Sequence, residues 1–240
     1  MSGAPSLPPR PDPAADDPAA EHRRDRPRLL ASVTSLDLLD LRGDVARLAA
    51  AGVDGLHLDV CDGNFVPLIT FGLPVCRAIR RITDLPIDVH LMVADPEPLV
   101  HELVGFGNAR VSVHVEATRY PWRVCSLLRK LGLQAGIAAN AITPVETIAP
   151  LAPAVDFFDL LATDHDLDGD RTLANTAERV GRLRRTVPAS VRIELDGGID
   201  AESAAGFVAA GVDDLVVGRA ICGRPDWGRA VQDLRAAMGR

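Results

Sequence analysis

Four residues of this 240-residue chain have the side-chain types and spacing for metal-assisted acid/base chemistry: His57, Asp59, His90 and Asp196. His57 and Asp59 stand two apart in the apolar run GLHLDV, so on a strand their side chains leave the same face. His90, in LPIDVHLM, and Asp196, in VRIELDG, hold equivalent places near the ends of two other apolar runs. Two imidazoles and two carboxylates converging on one point are a donor set for a divalent cation, with Zn²⁺, Fe²⁺, Mn²⁺ and Co²⁺ all compatible. A single histidine at a strand end is more often a hydrogen-bonded core residue. Burying two carboxylates together without a cation is costly, so the four taken jointly point to a metal.

Composition removes several alternatives. Lys130 is the only lysine, and WRVCSLLRKLG around it reads as the end of a surface helix, which disfavours Schiff-base or lysine acid/base chemistry. Cys61, Cys76, Cys125 and Cys222 show no CxxC spacing, as expected of a reduced, cytoplasmic protein without a disulfide framework or structural zinc. A net charge of −7 argues against a nucleic-acid surface, which needs a basic stripe. No apolar run reaches the roughly 18 residues of a membrane span, and no apolar stretch near the start reads as a signal peptide.

The elements that must position the four residues follow from hydrophobic periodicity. Residues 1–27 are rich in Pro, Ala and charge and are expected to be a disordered tail. From there, eight short apolar runs (29–33, 55–60, 85–92, 109–115, 134–140, 156–162, 191–197 and 213–218) alternate with amphipathic, helix-like segments such as LRGDVARLAAAG and AESAAGFVAAG. That alternation predicts a single (β/α)8 TIM barrel over residues 28–240. Gly52, Gly107, Gly132 and Gly211 fall where helix C-caps are needed. Buried parallel strands should be almost wholly apolar, yet His57, Asp59, His90, His114, Asn140 and Asp196 cluster at C-terminal strand ends. In a barrel those ends form the catalytic rim.

The stretches ASVTSLD, LHLDVCDGNFVPLITFG, LPIDVHLMV, VSVHVEA, GIAANAITP, IELDGGI and VVGRAI, in that order, resemble ribulose-phosphate 3-epimerases. The resemblance runs from residue 29 to about 235. It implies interconversion of D-ribulose 5-phosphate and D-xylulose 5-phosphate by a homo-oligomer holding one divalent metal ion. By position, His57, Asp59, His90 and Asp196 resemble the metal ligands, and Asp59 and Asp196 the acid/base pair. Ser32 resembles a substrate-contacting serine, His90 also borders the substrate, and Gly197, Gly198 and Gly218 resemble backbone donors to its phosphate. Arg219 stands where the family usually has Ser. The chemistry is that of a 2-ketose: removing the C3 proton gives an enediolate, which the metal stabilises as a Lewis acid. One carboxylate takes the proton from one face and the other returns one to the opposite face, so no organic cofactor is needed.

The chain departs from the family at the sixth βα loop. ATDHDLDGDRT (162–172) replaces a Gly-rich segment resembling NPGFGGQ, and Asp164, Asp166, Asp168 and Asp170 would repel a phosphate. This favours the same chemistry on another ketose, phosphorylated or not. The loop also reads D-x-D-x-D-G, but the twelfth calcium-loop position is Asn175 instead of Glu, so a simple βα turn is the better reading. Cys61 and Ala162 stand where the family has substrate-packing methionines, Met92 is kept, and Leu68 replaces an Asn. Asp88 and Asp62 are candidates to support the metal ligands. Barrel decarboxylases of the orotidine-phosphate type need an Asp-x-Lys-x-x-Asp array, and LDVCDG has no lysine. A non-catalytic metal-binding paralogue is the remaining alternative.

Overall fold

The computed structural model describes residues 26–107, 109–163 and 172–239. Eight parallel strands close into a barrel in sequence order, with β1 pairing both β2 and β8. They are β1 (Arg28–Ser32), β2 (Gly55–Cys61), β3 (Ile87–Met92), β4 (Arg110–His114), β5 (Gln134–Ala139), β6 (Phe157–Leu161), β7 (Arg192–Asp196) and β8 (Asp214–Val217). The helices are α1 (Leu41–Ala51), α2 (Leu73–Arg80), α3 (Glu97–Glu102), α4 (Pro121–Lys130), α5 (Thr176–Thr186), α6 (Ala204–Ala210), α7 (Arg219–Cys222) and α8 (Trp227–Ala237). All eight apolar runs are strands, so the predicted barrel stands. The expected tail lies, up to residue 25, outside the described residues, as does most of the sixth loop (164–171).

One crossover differs from the expected strand–helix alternation. Between β5 and β6 the chain makes two short 3₁₀ segments, Val145–Thr147 and Ala149–Ala154. Pro144, Pro150 and Pro153 lie in that stretch, and each proline removes a backbone donor that an α-helix would use. Elsewhere the local signals work as read. Asp40 caps α1 by accepting from Gly43 N, and α1 and α6 end on Gly52 and Gly211 with φ of 88° and 108°. That left-handed conformation admits glycine without a Cβ clash.

Alternation along each strand divides the side chains between two environments. Outward residues such as Leu56, Leu58, Val89, Val111, Ile193 and Leu215 are buried against the helices. Inward residues fill the lumen in layers contributed by alternate strands. Here the lumen is polar well below the rim: Asp88, Arg110, Ser112, Asp159, Glu194 and Asp214 are all buried in it. Arg110 stacks over the Phe157 ring at 3.9 Å, and Gly136 is needed opposite because a Cβ there would overlap that ring. The sequence reading placed polar residues at the C-terminal ends of the strands. They continue down through the barrel.

Candidate functional site

A cavity of about 400 Å³ opens at the C-terminal rim. Register brings the predicted residues together there: His57 pairs with Asp88 across β2–β3, Asp59 with His90, and Asp196 lies opposite Leu161 on β6. Asp59 and Asp196 line the cavity, while His57 and His90 are fully buried beneath them. His57 Nε2 lies 3.0 Å from Asp59 Oδ1 and 3.7 Å from Asp196 Oδ2. His90 Nδ1 lies 3.5 and 3.7 Å from the same two oxygens, and 3.3 Å from His57 Nε2. One donor atom from each of the four residues falls within 4.8 Å of all the others.

This arrangement fits a divalent cation. Asp59 Oδ1 is buried and has no hydrogen-bond partner, even with His57 Nε2 at 3.0 Å, so its lone pairs stay uncommitted. Its sister Oδ2 accepts from Ser32 Oγ at 2.8 Å and from Thr34 Oγ1 at 3.1 Å. One oxygen is thus satisfied by protein donors and the other is aimed at the imidazoles. A second, three-residue set within the same 4.8 Å limit, His57, Asp88 and Glu194, shares His57 and has Arg110 against Glu194 at 2.9 Å. The guanidinium already supplies the positive charge there.

The electrostatics follow from burial and close opposite charges. Burial would push His57 down, but Asp59 and Asp88 beside it hold it well above the ordinary imidazole range. His90 is likewise pushed down by burial and raised by Asp159, Asp196 and Asp59, reaching about 10. Asp59 moves the other way: burial raises it, and the two imidazoles bring it well below the carboxylate range. Burial first, then Asp59, lifts the Cys61 thiol to about 12, so it packs as a small neutral group instead of serving as a nucleophile.

The remaining predicted residues border the same cavity. Ser32 sits beside Asp59, and Gly197, Gly198, Gly218 and Arg219 form one wall. Gly197 and Gly198 have φ of 109° and 65°, and a Cβ on Gly197 would meet the Thr163 hydroxyl. Arg219 is exposed at the first residue of α7. Two expectations need correction. The apolar wall assigned to Ala162 comes from Leu161, because strand alternation turns Leu161 into the cavity and Ala162 outward into the core. Asp62 does not support the ligands: it braces a turn, accepting from the backbone N–H groups of Asn64, Phe65 and Ala94. Asp88 stands behind His57, with Oδ2 3.0 Å from His57 Nδ1.

Sequence reasoning named His114 as a rim residue but gave it no role, and passed over Glu116, Asp159, Glu194 and Arg110. His114 Nε2 is 2.8 Å from His90 Nε2, and His114 Nδ1 is 3.1 Å from Glu116 Oε2. Asp159 Oδ2 lies 3.4 Å from His90 Nδ1 and accepts from Ser112 Oγ at 3.0 Å. The signal was available, since stepping back two residues from a rim residue repeatedly meets another polar one: Asp88 before His90, Ser112 before His114, Glu194 before Asp196. Arg179, from α5, secures the rim by donating to Leu161 O at 2.9 Å, Asn140 O at 2.6 Å and Thr143 O at 3.3 Å. Arg179→Met strands the buried Leu161 carbonyl and should cost about 1–3 kcal/mol. Urea denaturation would register this as a lower midpoint at unchanged m-value, and an unshifted midpoint would show the clamp to be dispensable.

A closed β/α barrel with paired carboxylates and imidazoles under a rim cavity has the architecture of a barrel enzyme. The ribulose-phosphate 3 epimerase family model matches residues 28–222, and the chain belongs to that family. It is therefore an isomerase, of the carbohydrate epimerase class. The ribulose-phosphate 3-epimerase of Bacillus subtilis (strain 168) is 31% identical over 210 residues, covering 86% of this chain and 97% of the relative. That of Mycobacterium tuberculosis (strain ATCC 25618 / H37Rv) is 34% identical over 216 residues, covering 89% and 93%. Among solved structures, a 3-hexulose-6-phosphate synthase superposes with a TM-score of 0.63 at 17% identity, covering 88% of this chain and 99% of that one. An orotidine 5'-phosphate decarboxylase from Pyrococcus horikoshii OT3 gives 0.63 at 17%, covering 88% and 99%. At such identities the likeness is one of fold. No helix among the described residues is long and apolar enough to cross a membrane.

Proposed function

We propose that the chain inverts C3 of a ketose phosphate by two-base proton transfer, as in D-ribulose 5-phosphate/D-xylulose 5-phosphate interconversion. The observation that carries this reading is the pair of carboxylates, Asp59 and Asp196, from strands β2 and β7, meeting the same two imidazole nitrogens at the cavity floor. The named activity of the relatives supports it. A divalent ion held by His57 Nε2, Asp59, His90 Nδ1 and Asp196 would supply Lewis-acid stabilisation of negative charge on substrate oxygens.

The chain's own residues do the rest. Asp59 and Asp196 take and return the C3 proton on opposite faces. Ser32 and Thr34, bonded to Asp59 Oδ2, hold that carboxylate in one orientation. Cys61, Met92 and Leu161 present an apolar wall, which keeps water from the carbanion face. Gly197, Gly198, Gly218 and Arg219 receive the phosphate, with Arg219 adding a charged contact. In D₂O, the protein should replace the C3 proton of D-ribulose 5-phosphate with deuterium and build up D-xylulose 5-phosphate, both followed by ¹H NMR. Absence of exchange from either sugar rejects this substrate.

A second reading keeps the reaction and changes the sugar. Four aspartates in the sixth loop, Asp164, Asp166, Asp168 and Asp170, favour it because they disfavour a phosphate at that side. Under this reading exchange appears with a different ketose while D-ribulose 5-phosphate stays inert. A homo-oligomeric, cytoplasmic enzyme completes the proposal.

A further inference from the structure

We propose that His114, backed by Glu116, is a positioning residue that fixes which ring nitrogen His90 presents to the metal site. The inference rests on the reading of His90 as a ligand. His90 turns Nδ1 towards His57, Asp59 and Asp196, and turns Nε2 away from them, onto His114 Nε2 at 2.8 Å. The two rings have centroids 4.9 Å apart and planes only 15° from parallel. A ring nitrogen lies close to its own centroid, so a 2.8 Å gap between the Nε2 atoms requires both to lie near the line joining the centroids. The rings therefore meet edge to edge in nearly one plane, the geometry of an N–H···N bond and not of a face-to-face stack.

Proton bookkeeping gives the pair a direction. A neutral imidazole carries one proton and offers one lone pair. If Nδ1 of His90 offers its lone pair to a metal, Nε2 carries the proton and donates to His114 Nε2. His114 must then accept there and carry its own proton on Nδ1, where Glu116 Oε2 waits at 3.1 Å. With both rings neutral, as zinc at His90 Nδ1 would require of His90, the reverse order fails at its last link. A proton on His90 Nδ1 could donate to Asp159 at 3.4 Å, but His114 would then donate from Nε2 and face Glu116 with a bare lone pair. Two acceptors would be left 3.1 Å apart.

Glu116 is held as an acceptor by further donors. Its Oε1 takes the Asn140 N–H at 2.9 Å and the Thr143 hydroxyl, which tie the loop after β4 to the loop after β5. Phe65 packs on the His114 ring with centroids 4.5 Å apart, covering a face from which water could compete for the relay. Both imidazole ligands thus have a carboxylate behind them: His57 meets Asp88 directly, and His90 meets Glu116 through a second ring. Such outer partners orient a ligand and raise its basicity.

The test uses zinc alone, titrated into the full chain against a competing chelator. Wild type should bind one zinc per chain. His114→Leu, which gives the His90 N–H no acceptor, should bind about 10–100-fold more weakly, the range for losing an outer-sphere partner. His114→Gln, whose amide oxygen can accept that proton, should recover most of the loss at a similar melting temperature. Long-range ¹H–¹⁵N spectra of zinc-loaded wild type should place the His90 proton on Nε2, a result that does not depend on either variant folding. A proton on His90 Nδ1, or unchanged zinc affinity in both variants beside normal wild-type binding, overturns the relay alone. If wild type takes up no zinc, the metal reading falls and the relay with it.

Discussion

Asp59→Asn and Asp196→Asn should each abolish net epimerisation, losing about 10²–10⁴-fold or more of turnover, the contribution of a positioned general base. The more informative outcome is the asymmetry between them. If each carboxylate serves one face of C3, a variant lacking one base still carries the other. It should go on exchanging the C3 proton of the epimer whose proton faces the surviving carboxylate, while failing to make the other epimer. Asp59→Asn and Asp196→Asn should therefore retain exchange with opposite sugars. Each substitution also removes one of four close donor oxygens and nitrogens, so metal content must be matched before the comparison. ¹H NMR of the C3 signal in D₂O, run on both epimers with both variants, reads the result directly. Two metal-loaded variants that lose exchange with both sugars, or retain it with the same one, would sink the two-base assignment.

How much of this was legible beforehand depends on which period carried the signal. The strands were readable because their outward faces are uninterrupted apolar residues, Leu, Ile and Val with some Ala and Phe, and the rim residues because histidine or aspartate beside them breaks a strong pattern. His57, Asp59, His90 and Asp196 all declared themselves in this way. The β5–β6 crossover was readable only as a non-strand, since three prolines excluded an α-helix without specifying the 3₁₀ segments that replace it. Ala162 was mistaken for Leu161 because it was placed by resemblance to the family, whereas strand alternation decides which side chain faces inward. His114 and Glu116 lay in plain view in VSVHVEA. Their link to His90 depends on β3 and β4 lying side by side in register, with His90 opposite Ser112, a fact that no single segment contains. Arg110 and Asp214 are 104 positions apart and meet only because the barrel closes.

That closure sets up the second large effect, in which Arg110→Met should cost about 3–5 kcal/mol of stability, the usual penalty for removing one partner of a buried ion pair. Arg110 approaches Glu194 at 2.9 Å and Asp214 at 3.0 Å, all three buried in the lumen. The charges are unequal in need. Asp214 also receives Arg28 at 2.7 Å and Arg192, both on its other oxygen, so it keeps compensation when Arg110 is lost. Burial, with Asp88 and Asp159 beside it, raises the Glu194 carboxyl well above its ordinary range against the pull of Arg110. Asp88 is the member most dependent on the arginine: burial pushes it up, and Arg110 first, then His57, hold it well below the usual carboxylate range. Glu194→Gln should therefore cost far less than Arg110→Met, within about 1 kcal/mol, because an amide mimics the neutral form that burial and the neighbouring carboxylates favour at Glu194. A carboxyl raised in the folded state contributes stability at low pH that is lost as pH rises through its folded value. Glu194→Gln should remove that part of the decline. Urea midpoints for Arg110→Met, Glu194→Gln and the double variant, taken across pH, separate these effects. If Glu194→Gln proves as damaging as Arg110→Met, then Glu194 is an ionised partner of the arginine, and the lumen carries one more negative charge than this account allows.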